Sequence, residues 1–454
     1  MLKVEKQLVG LAVSASLLLP LGARPQSASI SPGEPRNSVS ATLLGPKSQR
    51  MARAAAAQAR GTPVGMDSLI QEALANNPAV KSALRRVESL RRRVPQVKSF
   101  PDPIFSVGWM GNITPFDVQE RDPSSFRSIG ARQDIPFPGK LKLRGQIADR
   151  EAEAAWWDYE NVRRRVVAQV KVAYYDYFYY DKAIEITLKD KNLLEKLTKI
   201  AGIRYQVGKG IQQDVLKAQV ELSRLLQRLT ILYQQKKTAQ VRLNTLLYRE
   251  PEAPLPPPAP FEQAELTYTL ETLYQLARDN DTGLQREQRM IERSQFATNL
   301  ARKEYYPDFS VAYMYQNRPF IPEMHGFTFS INIPVFYKTK QREGVNEATQ
   351  ELISAQRSRD NRETTLYFEV KEQYLTAKAS EELAELFSRA VVPQSTLALE
   401  SSLSAYEVGT VDFLTMLDNF LTVLDYEVDY YRELTNFQMA LARLEPLVGV
   451  ELTK

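Results

Sequence analysis

Cysteine is absent from the 454 residues. That excludes disulfides, thiolate nucleophiles and Cys-ligated metals. It also leaves no N-terminal Cys to carry a lipid, so no lipid anchor through Cys is expected. Histidine occurs once, as His325 in a loop-like stretch. A lone imidazole cannot build a His-rich metal site, and neither a metal nor any other cofactor is expected. No phosphate-cradling loop, nucleophile–base spacing or metal-ligand cluster is present, so the residues do not point to an enzyme. No apolar run approaches the ~18 residues that a membrane-crossing helix needs. The mean hydropathy of -0.36 is that of a soluble chain, but barrel strands alternate and barely register in hydropathy. An excess of one charge is missing too. The net charge is only +5, with basic and acidic residues interspersed along helices, which describes solvated faces rather than nucleic-acid binding.

At the N-terminus, Lys3 and Lys6 precede an apolar stretch from Leu8 to Leu19, and Gly22 and Ala23 follow. This is the pattern of a secretory signal over 1–23 with cleavage expected after Ala23, the alternative being a short N-terminal helix. Residues 24–66 are rich in Ala, Ser, Pro and Arg without periodicity, and are expected to form a flexible lead-in.

Beyond that point the chain says most things twice. Pro101-Asp102-Pro103-Ile104-Phe105-Ser106-Val107 is echoed by Pro307-Asp308-Phe309-Ser310-Val311. Asp134-Ile135-Pro136 is echoed by Asn332-Ile333-Pro334, and Tyr205-Gln206-Val207-Gly208 by Tyr406-Glu407-Val408-Gly409. Three matches in one order, each about 200 residues apart, mark an internal duplication. The expected organisation is a first repeat over 67–250, a Pro-rich linker over 251–267 and a second repeat over 268–454. A shift in offset between the first two matches predicts that the Gly111–Ser125 loop is longer than its partner, Gln316–Met324.

Each half reads as helix, strand, loop, strand, very long helix, turn, helix. The first helix is expected from Asp67, as N-cap, to about Lys98, and its counterpart from near Thr269 to near Tyr305. Phe309, Val311, Tyr313 and Tyr315 alternate with small or polar residues, as do Phe327, Phe329, Ile331 and Ile333, the period of strands with one apolar face. Phe105, Val107 and Trp109 repeat the pattern; Phe126–Ile135 is less regular. Four strands cannot close a barrel alone, so closure would need several copies of the chain. Lys140–Tyr205 holds no proline, and Lys338–Tyr406 only Pro393, so each reads as a helix on the order of 100 Å long. In the return helices, Val215, Ala218, Leu222, Leu225, Leu229 and Leu232 step by three and four, as do Phe413, Met416, Phe420 and Val423: coiled-coil seams. A return helix of about Ile211–Tyr248 is too short to match its partner; stacking the first helix end to end on it makes up the difference. The AYYDYFYY cluster, Ala173–Tyr180, reads as a mid-helix packing belt. Trp109, Tyr313, Tyr315 and Phe320 read as either interfacial aromatics or buried core.

These features together resemble the TolC-like outer-membrane efflux channels over about Asp67 to Val450. The resemblance is carried by EALANNP at Glu72–Pro78, the Pro-Asp-Pro strand pair, QDIPFPGK at Gln133–Lys140, the two Tyr-x-x-Gly hairpins and ALARLEPLVGVEL at Ala440–Leu452. The FPGK junction is most similar to the heavy-metal-efflux (CzcC/CusC-like) branch. The resemblance implies a mainly α fold with a small β part. Three copies would form a homotrimer with a twelve-stranded β-barrel, four strands from each, on a long α-helical tunnel. It implies a place in the outer membrane of a Gram-negative envelope, in contact with outer-membrane lipid, with the tunnel in the periplasm. The partners implied are a periplasmic adaptor (membrane fusion) protein and an inner-membrane pump, the RND type among the candidates. The channel would be passive and bind no nucleic acid. A secreted coiled-coil structural protein or adhesin is the competing reading. Nothing in the residues names the cargo.

The two hairpins are where such a tunnel would close. Gly208 and Gly409 sit where long helices must reverse, because glycine accepts the left-handed backbone that ends a helix. The resemblance places Tyr406 and Asp214 as a Tyr–Asp gate contact between hairpins, and Asp418 in a ring of carboxylates at the narrowest point. Its alternative is a solvated helix carboxylate. Asp412 reads equally as a local N-cap. Two positions depart from the family pattern: Val411 stands where an Arg is usual, and Thr415 where a second acidic ring is usual. Arg204, Tyr205, Gly208, Tyr406 and Gly409 form the expected adaptor-docking tip, since loops at the free end of a rigid duct are what a partner reaches.

Overall fold

The computed structural model describes residues 63–111, 118, 122–319 and 321–453. The expected signal, most of the lead-in, Phe320 and most of the Gly111–Ser125 loop lie outside these residues. In chain order the elements are α1 (Met66–Asn76), α2 (Pro78–Lys98), β1 (Ile104–Met110), β2 (Phe126–Ile135), α3 (Lys140–Gln206) and α4 (Gln212–Leu246). The second half follows with α5 (Leu270–Asn280), α6 (Thr282–Lys303), β3 (Asp308–Asn317), β4 (Met324–Asn332), α7 (Gln341–Leu386), α8 (Val392–Val408) and α9 (Phe413–Val448). The fold is mainly helical with one small antiparallel sheet, and its two halves repeat one plan.

The expected first helix is split in both halves. Pro78 lacks an N–H and disfavours helical geometry at Asn77, which takes φ −57° and ψ 123° and caps α2 by accepting from the Ala79 amide at 2.9 Å. Asp281, with φ −64° and ψ 122°, does the same for α6 through the Leu284 amide at 2.7 Å. The cap expected at Asp67 is not made: Gly65 occupies that position without a side-chain bond, and Asp67 lies in the first turn of α1. These breaks let α2 stack on the end of α4. The Asn77 side chain donates to the Leu246 carbonyl at 2.9 Å, and Arg249 holds Glu72 at 2.5 Å. In the second half Gly449, just past α9, packs against Asn280 at the end of α5, where the chain turns into α6. Each stacked pair thereby matches the 67-residue α3 or its counterpart at roughly 90–100 Å. The counterpart is not one continuous α-helix. A π-helical turn over Phe387–Val391 separates α7 from α8, just before Pro393.

The sheet order is β1-β2-β3-β4, antiparallel throughout, with the halves joined by β2–β3 pairs such as Ala131↔Tyr313 and Ile135↔Phe309. Register puts Phe105, Val107, Ile129, Val311, Tyr313, Phe327, Phe329 and Ile331 on one face, and Ser106, Gly108, Ser128, Gly130, Ser310, Ala312, Thr328 and Ser330 on the other. The apolar face is bare: Phe105 is 77% exposed, Val107 86% and Phe327 81%. Among the described residues, β1 and β4 each leave one edge unpaired. His325, expected in a loop, lies within β4 and shares a 2.8 Å hydrogen bond with the Tyr313 hydroxyl.

Core packing follows the seams. Ala218, Leu225, Leu229 and Leu232 of α4 and Phe413, Met416, Phe420 and Val423 of α9 are buried in one cluster with Leu194 and Leu197 of α3. Midway along α3, Tyr174, Tyr175 and Tyr177 are fully buried and fix the Pro-rich linker. Prolines supply carbonyls but no N–H donors, so side chains donate instead. The Tyr174 hydroxyl bonds to the Ala259 carbonyl at 2.9 Å, Tyr177 to Leu255 at 3.3 Å, and Gln240 to Ala253 at 2.7 Å. The linker is thus strapped to the helices rather than being a free spacer. One turn earlier, buried Lys171 pairs with Glu445 at 2.8 Å and Glu451 at 3.2 Å, and Glu445 also accepts from the Thr453 amide at 2.8 Å. Lys171→Met strands the Glu445 carboxylate and is expected to destabilise the protein by about 3–5 kcal/mol. Denaturant unfolding compared with wild type checks this; an unchanged midpoint would show that the cluster is not a structural pin.

Candidate functional site at the hairpin tips

The two helix reversals lie at the far end of α3 from the sheet, and both are built on left-handed glycines. Gly208 has φ +74° and Gly409 φ +83°. A side chain there would be strained whatever space surrounds it. The Lys209 amide reaches back to the Arg204 carbonyl at 2.8 Å, and the Thr410 amide to the Ala405 carbonyl at 2.9 Å, closing both helix ends in the same way. The following helices begin differently. Asp412 caps α9 by accepting from the Thr415 amide at 2.8 Å. Hydrogen bonds from the Thr415 hydroxyl and amide hold the Asp412 carboxyl below the usual aspartate range. In the first hairpin Ile211 precedes α4 without a side-chain cap, and Asp214 sits in the first turn.

Arg204 joins the tips. Its Nη1 donates to the Tyr406 carbonyl at 2.5 Å, and its guanidinium lies 4.5 Å from the centroid of the Tyr406 ring. The ring is buried and meets Phe413 edge-on, with centroids 5.7 Å apart. Burial raises the Tyr406 hydroxyl above its usual pKa; Arg204 opposes that shift and Asp214 adds to it. Asp214 is raised as well, first by partial burial and then by the Asp412 carboxylate, against the pull of the Ile211 backbone bond and Arg204. The structure therefore gathers Arg204, Tyr406, Asp214 and Asp412 into one electrostatic cluster. Among the described residues no hydrogen bond joins Tyr406 to Asp214; Arg204 takes the bridging position instead.

Asp418 is not part of this cluster. It is exposed on α9, about 7.5 Å along the helix from Phe413, and has no ion-pair or hydrogen-bond partner among the described residues. Thr415 is exposed too, its amide committed to Asp412. Tyr205 is exposed beside Val207, Ile211 and Val408, giving the tips an apolar surface.

Sequence reasoning passed over one carboxylate. Asp190, on α3, is buried; one of its oxygens has no hydrogen-bond partner, and burial pushes its pKa up to about 6, with Glu427 adding to the shift. No motif marks it; only its place on the packed side of the α3 seam would have. A native pKa of about 6 against 3.8 means the folded state binds the proton more tightly. This group's contribution therefore favours folding as pH falls through about 6 and is lost as pH rises. Asp190→Asn is expected to stabilise the protein at pH 7 by about 1–3 kcal/mol and to flatten its stability between pH 4 and 7. Denaturant midpoints across that range test the sign.

Comparison with known proteins places this geometry in context. Residues 69–247 match the family model for outer membrane efflux proteins. No curated protein matches the chain. Among solved structures, the outer membrane protein VceC from Vibrio cholerae aligns with a TM-score of 0.72 at 16% identity, covering 85% of this chain and 96% of that one. The CmeC outer membrane channel of Campylobacter jejuni aligns at 0.73 and 14% identity, covering 86% of each chain. CusC aligns at 0.71 and 15% identity, covering 86% of this chain and 95% of that one. At such identities the likeness speaks for the fold, and these scores do not set the CusC-like branch apart from the others. The chain thus shares the fold of these outer membrane channels, and its residues 69–247 carry the sequence pattern of the outer membrane efflux proteins.

Proposed function

We propose that the protein is the outer-membrane channel of a tripartite efflux or secretion system, passively conducting substrate from an inner-membrane pump and periplasmic adaptor across the outer membrane. The observation that carries this is the sheet: four strands, two unpaired edges, and an aromatic and aliphatic face left bare. Free edges and a bare apolar face are liabilities in water. Both are resolved if β4 of one copy pairs with β1 of the next and three copies close a barrel whose apolar face meets lipid. The small-residue face then lines the lumen. A secreted coiled-coil protein or adhesin has no use for such a face. The channel performs no covalent chemistry and needs no cofactor; a neighbouring pump, of RND or another type, would supply the energy. The FPGK junction supports the heavy-metal branch.

In this reading the hairpin tips form the gate. Arg204 and Tyr406 clasp the two tips of each subunit, Asp214 and Asp412 tune the charge around them, and the exposed Asp418 carboxylates form a cation-attracting ring in the trimer. Thr415, one turn earlier, adds no charge to it. Arg204, Tyr205, Gly208, Tyr406 and Gly409, with the apolar tip surface, form the adaptor-docking face.

Membrane fractionation followed by electrophoresis of heated and unheated samples tests the assembly. A heat-sensitive trimer in the outer-membrane fraction is expected; a soluble monomer overturns the reading. In planar bilayers, Asp418→Ala is expected to raise the divalent-cation concentration for half block about tenfold, on the order of 1.4 kcal/mol; an unchanged block removes Asp418 from the gate. Arg204→Ala is expected to raise leak conductance more than Tyr406→Phe, because phenylalanine keeps both the ring and the carbonyl that hold Arg204. The reverse order would place the closing contact on the hydroxyl.

A further inference from the structure

The level at which the strands give way to helices carries a collar of unpaired cations. α2 ends at Lys98, shortly before β1, and α6 ends at Lys303, shortly before β3. Lys142 and Arg144 fall in the first turns of α3, and Lys338 and Lys340 in the connection from β4 to α7. Lys98, Lys142, Arg144, Arg302, Lys338 and Lys340 are all exposed, and none has a carboxylate partner among the described residues. Each lies six to nine residues along the chain from a strand end.

The nearby carboxylates do not cancel this charge, because most are already paired. Glu304 and Asp308 hold the buried Lys140 at 2.9 and 3.0 Å, Asp134 pairs with Arg132 at 2.9 Å, and Glu343 with Arg342 at 3.1 Å. Among these described carboxylates, Asp102 is left without a partner. The other end of the sheet differs: its described charged residues are Arg127 and Arg318 against Asp122 and Glu323, and they balance. Among the described residues the cationic excess therefore lies at the helix-facing end.

Aromatic rings accompany it. Phe100, Tyr306, Phe336 and Tyr337 are exposed at the same level. Lys303 Nζ sits 5.4 Å from the ring centroids of both Phe137 and Tyr306, so even the half-buried cation here is held on aromatic faces. Moving from sheet to helices, the surface thus passes from apolar side chains to aromatic rings to free ammonium and guanidinium groups. That sequence matches a bilayer's passage from acyl chains through the interface to phosphate headgroups, and the charge complements an anionic headgroup.

We propose, on the footing of the outer-membrane channel reading, that this collar binds anionic glycerophospholipid headgroups of the membrane leaflet facing the helical tunnel. The lysines and guanidinium groups would fix the depth and tilt of the barrel, with the aromatic rings wedged just above them.

The test uses the full chain, folded as a trimer into phosphatidylcholine vesicles with and without phosphatidylglycerol. After mild detergent extraction, the lipid retained by the protein is analysed. Phosphatidylglycerol is expected to be enriched about fivefold over its bulk fraction at each occupied position, and the enrichment to fall in high salt. A variant carrying Lys142→Gln, Arg144→Gln, Lys338→Gln and Lys340→Gln is expected to insert into pure phosphatidylcholine as wild type does but to retain lipid in the bulk ratio. Wild-type trimer that inserts yet retains lipid in the bulk ratio overturns the collar and leaves the channel reading standing. So does enrichment that survives the four substitutions. A chain that inserts into neither bilayer overturns the channel reading, and the collar with it.

Discussion

A helix on the order of 100 Å long needs a return path of equal length, and everything else in this protein is arranged around that requirement. The chain meets it with joints rather than with more helix. Asn77 caps one helix with its side-chain oxygen and binds the end of another with its amide, so α2 continues the line of α4 with no covalent bond between them. Asp281 makes the second joint, where Arg362 holds its carboxylate at 2.7 Å. Because these joints fix the ends, the seams of apolar residues between them can be packed in register. The Pro-rich segment between the halves has only to be pinned, which the buried tyrosines do.

The same economy explains why chemistry concentrates at the two ends. Along the shafts, most polar groups are either paired or solvated, with Asp190 and Gln438 among the buried exceptions. At the hairpin end the backbone reverses twice within reach of one arginine, so a single side chain couples the two halves of the duplication. At the sheet end the backbone leaves its hydrogen bonds unfinished and its apolar face uncovered. One end is tied together within the chain; the other leaves an edge and a face unpartnered.

Much of this was legible in the sequence because the relevant signals are local and repeated. Alternation marked the strands, the absence of proline marked the shafts, and the glycines at 208 and 409 marked the reversals at their observed positions. The joints were legible only in part. Pro78 signals a break, but Asp281-Thr282 carries no proline, and the cap assigned to Asp67 belongs to Gly65, because a capping residue is chosen by backbone geometry as well as by type. The clasp between Arg204 and Tyr406, and the pairing of Lys171 with Glu445, link residues some two hundred or more positions apart. No local pattern predicts such pairs, since they depend on how α3 and the second hairpin are turned about their axes.

That rotation gives the π-helical turn at Phe387–Val391 its meaning. A π turn takes one residue more than an α turn, so every side chain beyond it is advanced by one position, about 100° around the helix axis. Tyr406 lies beyond it. On an unbroken α-helix the tyrosine would point about a quarter turn away from the Arg204 guanidinium and off the Phe413 ring. The irregular turn thus acts as a phase setter, one residue's worth of twist placed some 15 positions upstream, which aims the second tip at the first.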